Sequence, residues 1–173
     1  MQSDDDLMSR IRVAVEQGVD ARAKYFQSID LADEQALGSP ASIDKVDLLE
    51  SDLGRPLPPS YRQFLLMFDG WHMIDGGVDL LPVDDLLGGA RHQAVLDWQT
   101  QMLSEGDEVA ARSLVIGVSS ITPTKYLLDP TSIDEAGEWQ LIQHHHGEEA
   151  VVPSFFIWLE ESVNEYLELA ATN

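Results

Sequence analysis

Apolar residues near the start of the chain recur at every fourth position, which is the spacing of one helix face. These residues are Leu7, Ile11, Val15 and Val19. The pattern predicts a helix over residues 4–26. A short second helix is predicted from Leu31 to Leu37, with Asp30 as its N-cap and Gly38 as its terminator.

The next two predicted helices have clear start and stop signals. The first carries an apolar stripe of Ile43, Val46, Leu49 and Leu53. Gly54 ends it, because glycine readily takes the left-handed conformation that closes a helix. Pro59 opens the second helix, since a first-turn proline loses no helical hydrogen bond. Asp69-Gly70 closes that second helix.

The pattern then changes to short β-rich runs. The predicted strands are 76–82, 114–118, 125–128 and 139–143. An amphipathic helix is predicted over residues 90–103, and Asp129-Pro130 is predicted to stop the third strand. Ser154 is predicted to cap a final helix.

These elements do not alternate as strand, helix and strand. They therefore predict an α+β fold with a central, mostly antiparallel sheet flanked by helices and an extra N-terminal helical segment. The stretch 39–42 contains serine and proline and is predicted to be a boundary. We expect an N-terminal helical extension over residues 1–38 and an α+β domain over residues 39–173.

Charge changes the picture more than any other property of the composition. The chain has 31 Asp and Glu residues against 10 Lys and Arg residues, and its formal net charge is -21. Such a field repels nucleic acid and anionic membranes and favours a basic protein partner. High net charge also serves solubility alone, and the charge by itself does not separate these two interpretations.

The cysteine content and the start of the chain bear on where the protein is expected to be located. The chain has no cysteine, which excludes disulfides, thiolate metal sites and a cysteine nucleophile. Its start is acidic, and no apolar run approaches the ~20 residues that span a bilayer. We therefore expect a soluble, cytoplasmic protein.

Two groups of residues are candidates for chemistry. Imidazoles bind transition metals, and His144 and His146 of the His144-His145-His146 tract would share one face of a strand. The tract precedes Gly147-Glu148-Glu149, so an exposed polar loop is the favoured interpretation. The aspartates between residues 69 and 85 lack a second catalytic partner. We expect no metal, no cofactor and no catalytic residue.

Contacts with a partner are predicted in the same acidic stretch. An exposed aromatic side chain among carboxylates is typical of an interface, although Trp71 fits equally well as a core or lid residue. The predicted partner-binding residues are Asp69, Trp71, Asp75, Asp84 and Asp85. A stripe on the final helix is either a solvated face or part of a docking surface. This stripe consists of Glu161, Glu165 and Glu168.

The order of these motifs resembles a known family. Leu53-Gly54-Arg55-Pro56-Leu57-Pro58-Pro59 joins two helices, and the second helix ends in Phe68-Asp69-Gly70. Val78-Asp79-Leu80-Leu81-Pro82, Tyr126-Leu127-Leu128-Asp129 and Ser154-Phe155-Phe156 follow in order. Over about residues 42–170 this resembles the SUKH superfamily, which includes yeast regulators of cell-wall assembly and killer-toxin resistance. The family usually has asparagine where Asp69 stands.

The resemblance implies an α+β domain with a non-catalytic binding role. It also implies the role of the bacterial members, which are immunity proteins that neutralise a cognate toxin, often a nuclease. The expected partner is therefore a basic toxin whose site this chain occludes. A regulatory or scaffold module, as among the eukaryotic members, is the alternative. An enzyme or metal protein that uses the histidine tract or the aspartates is a third hypothesis.

Overall fold

A computed structural model describes residues 4–75, 77–145 and 147–172. The helices are α1 Asp4–Ser28, α2 Ile43–Leu53, α3 Pro59–Met67, α4 Val83–Leu87, α5 His92–Glu105, α6 Glu108–Arg112 and α7 Phe155–Thr172. The strands are β1 Ala36–Leu37, β2 Trp71–Asp75, β3 Val78–Leu80, β4 Leu114–Ser119, β5 Lys125–Ile133, β6 Trp139–His145 and β7 Glu148–Val152.

The described strands form one seven-stranded sheet in the order β1-β2-β3-β4-β5-β6-β7. Each strand pairs antiparallel with the next strand along the chain. Helices precede the sheet, interrupt it between β1 and β2 and again between β3 and β4, and follow it. The predicted α+β class with a mostly antiparallel sheet is therefore confirmed.

Alternate residues of the sheet pack into two separate apolar clusters. Tyr126 and Leu128 join the larger cluster, which also contains the buried faces of α1, α3 and α7. Leu127 and Ile142 point to the opposite side and join a smaller cluster with Met102 of α5. This follows from the two-residue period of a strand, which sends neighbouring side chains to opposite faces.

The local signals for helix ends act as the sequence predicts. Ser42 caps α2 by accepting a hydrogen bond from the Lys45 amide, and Gly54 ends the helix at φ 67°. Pro59 occupies the first turn of α3. Ser154 Oγ accepts from the Ile157 amide at 3.2 Å at the start of α7. The sequence pattern predicts the roles of Gly54, Pro59 and Ser154, because each of these signals acts through neighbours in sequence. It does not predict the cap at Ser42, a residue that the pattern places only in a boundary stretch.

Helix α1 belongs to the same hydrophobic core as the sheet. Ile11 and Val15 are fully buried in the larger cluster. Gly18 faces α7 so closely that a Cβ atom there would lie 2.8 Å from Val163 Cγ2. The division into an extension and a domain at residues 38 and 39 stays a prediction, but α1 and the sheet share one core.

Two local predictions are wrong. The segment from Leu31 to Leu37 is not a helix, because its last two residues form β1 and pair with β2. A seven-residue helix is too short to form without strong packing, and pairing with the sheet replaces it. Strand β5 does not stop at Asp129-Pro130 but continues to Ile133, with a register irregularity between Asp129 and Ile133. Such irregularities accommodate proline in a strand.

Candidate functional site

The acidic stretch between α3 and α5 forms a set of internal contacts rather than an open row of carboxylates. Asp69 follows α3, and its Oδ1 accepts a hydrogen bond of 2.7 Å from the amide of Val83, the first residue of α4. Pro82, the N-cap of α4, provides no side-chain acceptor. Asp69 therefore caps α4 from a distant part of the chain. Burial raises the pKa of Asp69 above its ordinary value, and the negative charge of Asp84 adds to the rise.

Asp75 lies at the end of β2 and holds a tyrosine across the sheet. Tyr126 donates its hydroxyl hydrogen bond to Asp75 Oδ2 at 2.9 Å. Burial, followed by the charge of Asp75, raises the pKa of Tyr126 far above its ordinary value. The tyrosine therefore stays neutral and remains a donor to Asp75.

Asp85 is bound to Arg91 in a local charge network. The guanidinium Nε lies 2.8 Å from Asp85 Oδ2, and its Nη1 lies 2.8 Å from Asp79 Oδ2. Asp79 Oδ1 lies 2.7 Å from His72 Nδ1. The side chain of Asp85 is only 12% exposed. One arginine thus bridges two carboxylates, and this contact together with its low exposure leaves Asp85 little capacity to bind a partner.

Trp71 does not lie on the surface. The residue is 2% exposed and belongs to the larger cluster. Its indole Nε1 donates a hydrogen bond of 3.1 Å to Gln35 Oε1. The expectation of an exposed aromatic anchor is therefore wrong for Trp71, because α1, α7 and the segment before β1 cover its ring. The alternative interpretation from the sequence, in which Trp71 is a core residue, is the correct one.

Asp84 is the predicted partner-binding residue that reaches solvent. Its side chain is 64% exposed, and its Oδ1 lies 2.7 Å from Lys45 Nζ of α2. This ion pair brings the first turn of α4 beside α2. An exposed pair of this kind contributes little to stability, so a partner can replace it at small cost.

The outward face of α2 extends this exposed acidic region. Asp44, Leu48 and Asp52 are exposed and follow one another at four-residue spacing, which places them on one side of the helix. Ile43 and Leu48 are 57% and 52% exposed, respectively. We call Ile43, Asp44, Leu48, Asp52 and Asp84 the α2–α4 acidic face. Ile43 was assigned to the apolar stripe in the sequence, but that stripe is wider than the part that α2 buries.

Comparison with known families identifies the chain. The sequence model of the SMI1/KNR4 family (SUKH-1) matches residues 40–172. The chain belongs to this family. No curated protein matches it in a sequence search.

The match places the main features relative to the SMI1/KNR4 domain. It begins two residues before the N-cap of α2 and runs through α7, so it includes the α2–α4 acidic face. Helix α1 and β1 precede the match. The core of this SMI1/KNR4 domain therefore includes residues of α1 that the family model does not contain. Within the described ranges, no helix is both long enough and apolar enough to cross a membrane.

The histidine tract is also placed differently from the prediction. His144 is 5% exposed and is not part of an exposed polar loop. It lies on β6 with its ring edge-on to Trp98 of α5, at 5.2 Å between ring centroids. His146, the other histidine of the candidate pair, lies outside the described residues. So does Gly76, the first residue of the predicted strand 76–82. The signal for burial was present in the sequence, since His144 shares its strand face with the apolar residue Ile142.

Among the described residues, Asp107, His144 and Glu149 form one group with metal-ligand chemistry. Their ligand atoms all lie within 4.8 Å of one another. The group combines one imidazole with two carboxylates, which is a donor set that suits divalent transition metals. The sequence did not predict it, because Asp107 is far from the histidine along the chain.

Proposed function

We propose that this chain is a non-catalytic, cytoplasmic immunity protein that binds a cognate bacterial toxin and occludes the toxin's basic site. A toxin that acts on nucleic acid is the partner class that best fits, because such enzymes carry basic grooves for phosphates. The observation that carries the proposal is the α2–α4 acidic face on a member of the SMI1/KNR4 family with a net charge of -21.

Two of the three carboxylates on this face are not compensated from within the described residues. Asp44 and Asp52 form no ion pair there, and Asp84 is paired only with the exposed Lys45. A partner with lysines and arginines opposite these carboxylates gains attraction without breaking buried contacts. Electrostatic steering of this kind raises association rates by roughly 10- to 1000-fold at low salt.

The exposed aliphatic residues give the face a means of holding a partner after encounter. Ile43 and Leu48 flank Asp44 on the outside of α2. Apolar side chains that become desolvated at the centre of an interface carry much of its binding energy, whereas charges at the rim mainly set the encounter rate. Exposed carboxylates together with exposed aliphatic side chains support a protein partner. Carboxylates alone would attract counterions but would offer no apolar contacts to a specific partner.

The test compares two charge reversals that alter the net charge by the same amount. The first is Asp44→Lys, Asp52→Lys and Asp84→Lys on the α2–α4 acidic face. The matched control is Glu161→Lys, Glu165→Lys and Glu168→Lys on α7, where all three glutamates are exposed. The wild-type chain is first used to capture partners from its native host at low and high salt. The partner is then tested for toxicity and for rescue by co-expression.

We expect the wild-type chain and the α7 variant to rescue growth and the α2–α4 variant to fail. Capture is expected to weaken strongly between about 50 and 300 mM salt, because screening shortens the range of charge interactions. Rescue by both variants would reject this face as the binding surface. A captured partner that is neither basic nor toxic would reject the immunity function and favour the regulatory or scaffold role.

A further inference from the structure

Three side chains form a row across the end of the sheet. Lys125 of β5 pairs with His144 of β6, and His144 pairs with Glu149 of β7. Direct cross-strand partners project to the same face of a sheet. This is the face of Ile142, which α5 and α6 cover. The row therefore points toward the cleft beside these two helices rather than into the larger cluster.

Asp107 approaches the row from the helical layer. It is the N-cap of α6, and its Oδ1 accepts a hydrogen bond of 2.9 Å from the Ala110 amide. Its other oxygen, Oδ2, lies 3.4 Å from His144 Nε2. The capping bond fixes the carboxylate, so one oxygen serves the helix and the second faces the imidazole.

His144 is buried with one ring nitrogen unsatisfied. Its Nδ1 is inaccessible to solvent and makes no hydrogen bond. Leaving a buried polar atom unpaired costs about 1–3 kcal/mol, so such atoms are rare in native proteins. A leucine or valine on this strand face would avoid that cost. A ligand on the other ring nitrogen, Nε2, would offset this cost. Such a ligand would explain why an imidazole is buried at this position.

The distance between Asp107 and His144 fits a shared metal ion better than a direct hydrogen bond. An N–H···O bond has a length of about 2.7–3.2 Å, which is shorter than the 3.4 Å observed. Zinc bonds to nitrogen and oxygen are about 2.0–2.2 Å long, and two tetrahedral ligands are then about 3.3–3.5 Å apart. The Nε2 and Oδ2 atoms already have this separation.

We propose that Asp107, His144 and Glu149 bind a divalent transition-metal ion of the zinc type at the end of the β6–β7 hairpin. His144 supplies Nε2, and Asp107 and Glu149 each supply one carboxylate oxygen. Glu149 is exposed, so its side chain can close the remaining distance. An imidazole among the donors favours zinc, nickel or copper over calcium and magnesium, which prefer oxygen ligands.

Lys125 limits how tightly such an ion binds. Its Nζ lies 4.7 Å from the centre of the Trp98 ring, on the same sheet face as His144. The ammonium group repels a divalent cation bound at the neighbouring His144. Replacing it by a neutral side chain is therefore expected to strengthen metal binding.

The experiment is a calorimetric zinc titration of the untagged full chain after treatment with a chelator. Asp107→Asn keeps a helix cap of equal quality while it removes the carboxylate. Glu149→Gln changes an exposed side chain, and Lys125→Met removes the cation. The matched control is His72→Gln, which removes a histidine that faces a carboxylate at 2.7 Å outside the site. Circular dichroism verifies that each variant is folded.

We expect one equivalent of zinc to bind the wild-type chain and the His72 variant with equal affinity. Loss of either carboxylate is expected to weaken binding by about tenfold or more, since even indirect supports of a metal site have that effect. Lys125→Met is expected to strengthen it. Absence of zinc binding would overturn the proposal. Binding that survives both carboxylate changes but is lost in His145→Ala would also overturn it, because the exposed histidine would then be the ligand.

Discussion

The contribution of α1 to the core can be tested with two valines of the same helix. Val15 is fully buried and Val13 is 48% exposed. Both lie in the interior of α1, two residues apart. Each is replaced by alanine, so the chemical change is identical and only the environment differs.

The expected difference follows from the atoms removed. Valine to alanine deletes two methyl groups, and each buried methylene equivalent contributes about 0.8 kcal/mol. A residual cavity adds to this loss when the surrounding residues do not collapse. Alanine is also the better helix former by up to about 0.7 kcal/mol, but this gain is common to both variants. We therefore expect Val15→Ala to be less stable than Val13→Ala by about 1.5–3 kcal/mol.

Urea unfolding followed by tryptophan fluorescence measures both free energies of unfolding. A single transition is expected, because α1 and the sheet share one core. Val13→Ala is expected to be neutral or slightly stabilising. A difference below about 0.5 kcal/mol, the usual range for surface substitutions, would refute the inclusion of α1 in the core. A separate early transition affecting only α1 would refute it as well.

Three further changes test individual contacts by urea unfolding. Gly38→Ala places a Cβ atom 2.0 Å from the Asp69 carbonyl oxygen and is expected to cost about 1–3 kcal/mol; an unchanged midpoint would contradict this close approach. Trp71→Phe leaves the Gln35 carbonyl without its donor and is expected to cost about 1–3 kcal/mol, whereas no loss would mean that this bond contributes nothing. Burial raises the pKa of Glu138, so its contribution to stability is complete below about pH 4 and is lost as the pH rises through the folded pKa. Glu138→Gln is therefore expected to gain stability relative to wild type between about pH 4 and 7. If the free energy of unfolding changed with pH equally in the variant and the wild type, this expectation would be contradicted.

The sequence predicts those elements whose signals are local. Helix α2 is defined by its apolar stripe and a terminal glycine, and α3 by a first-turn proline. The apolar runs of β4 and β6 are strong enough to mark strands without knowledge of their partners. The mostly antiparallel arrangement follows from the order of these elements.

The elements that the sequence misses depend on distant contacts. Strand β2 reads Trp-His-Met-Ile-Asp, which has no clear strand pattern, and β7 begins with two glutamates. Both become strands because the sheet offers them hydrogen-bonding partners. Trp71 is buried in the larger cluster with residues of α1 and α7, and Gln35, far away in sequence, accepts its indole hydrogen. No local pattern contains that information.

The acidic residues show the same limit. Asp69, Asp75 and Asp85 look like a row of available charges in the sequence, but each holds a specific donor in the fold. Charge pattern alone does not distinguish a carboxylate that caps a helix or binds a tyrosine from one that faces solvent. Asp84 differs only in its exposure, which is determined by where α4 lies against α2.

The few basic side chains do not offset the negative charge of the surface. Most of those described are paired with carboxylates of the chain. The paired residues are Arg10, Arg22, Lys45, Arg62, Arg91 and Arg112. A basic partner is therefore attracted by the uncompensated charge of the entire molecule, including both α7 and the α2–α4 acidic face.

Steering and contact can accordingly be separated by kinetics. The two charge-reversal variants change the net charge equally, so both are expected to slow association with a basic partner to a similar extent. Dissociation depends on local contacts, because most affinity differences among variants of one interface lie in the dissociation rate. If the α2–α4 acidic face is the interface, only its variant dissociates faster. If the two variants dissociate at the same rate, charge steers the partner to a surface elsewhere on the molecule.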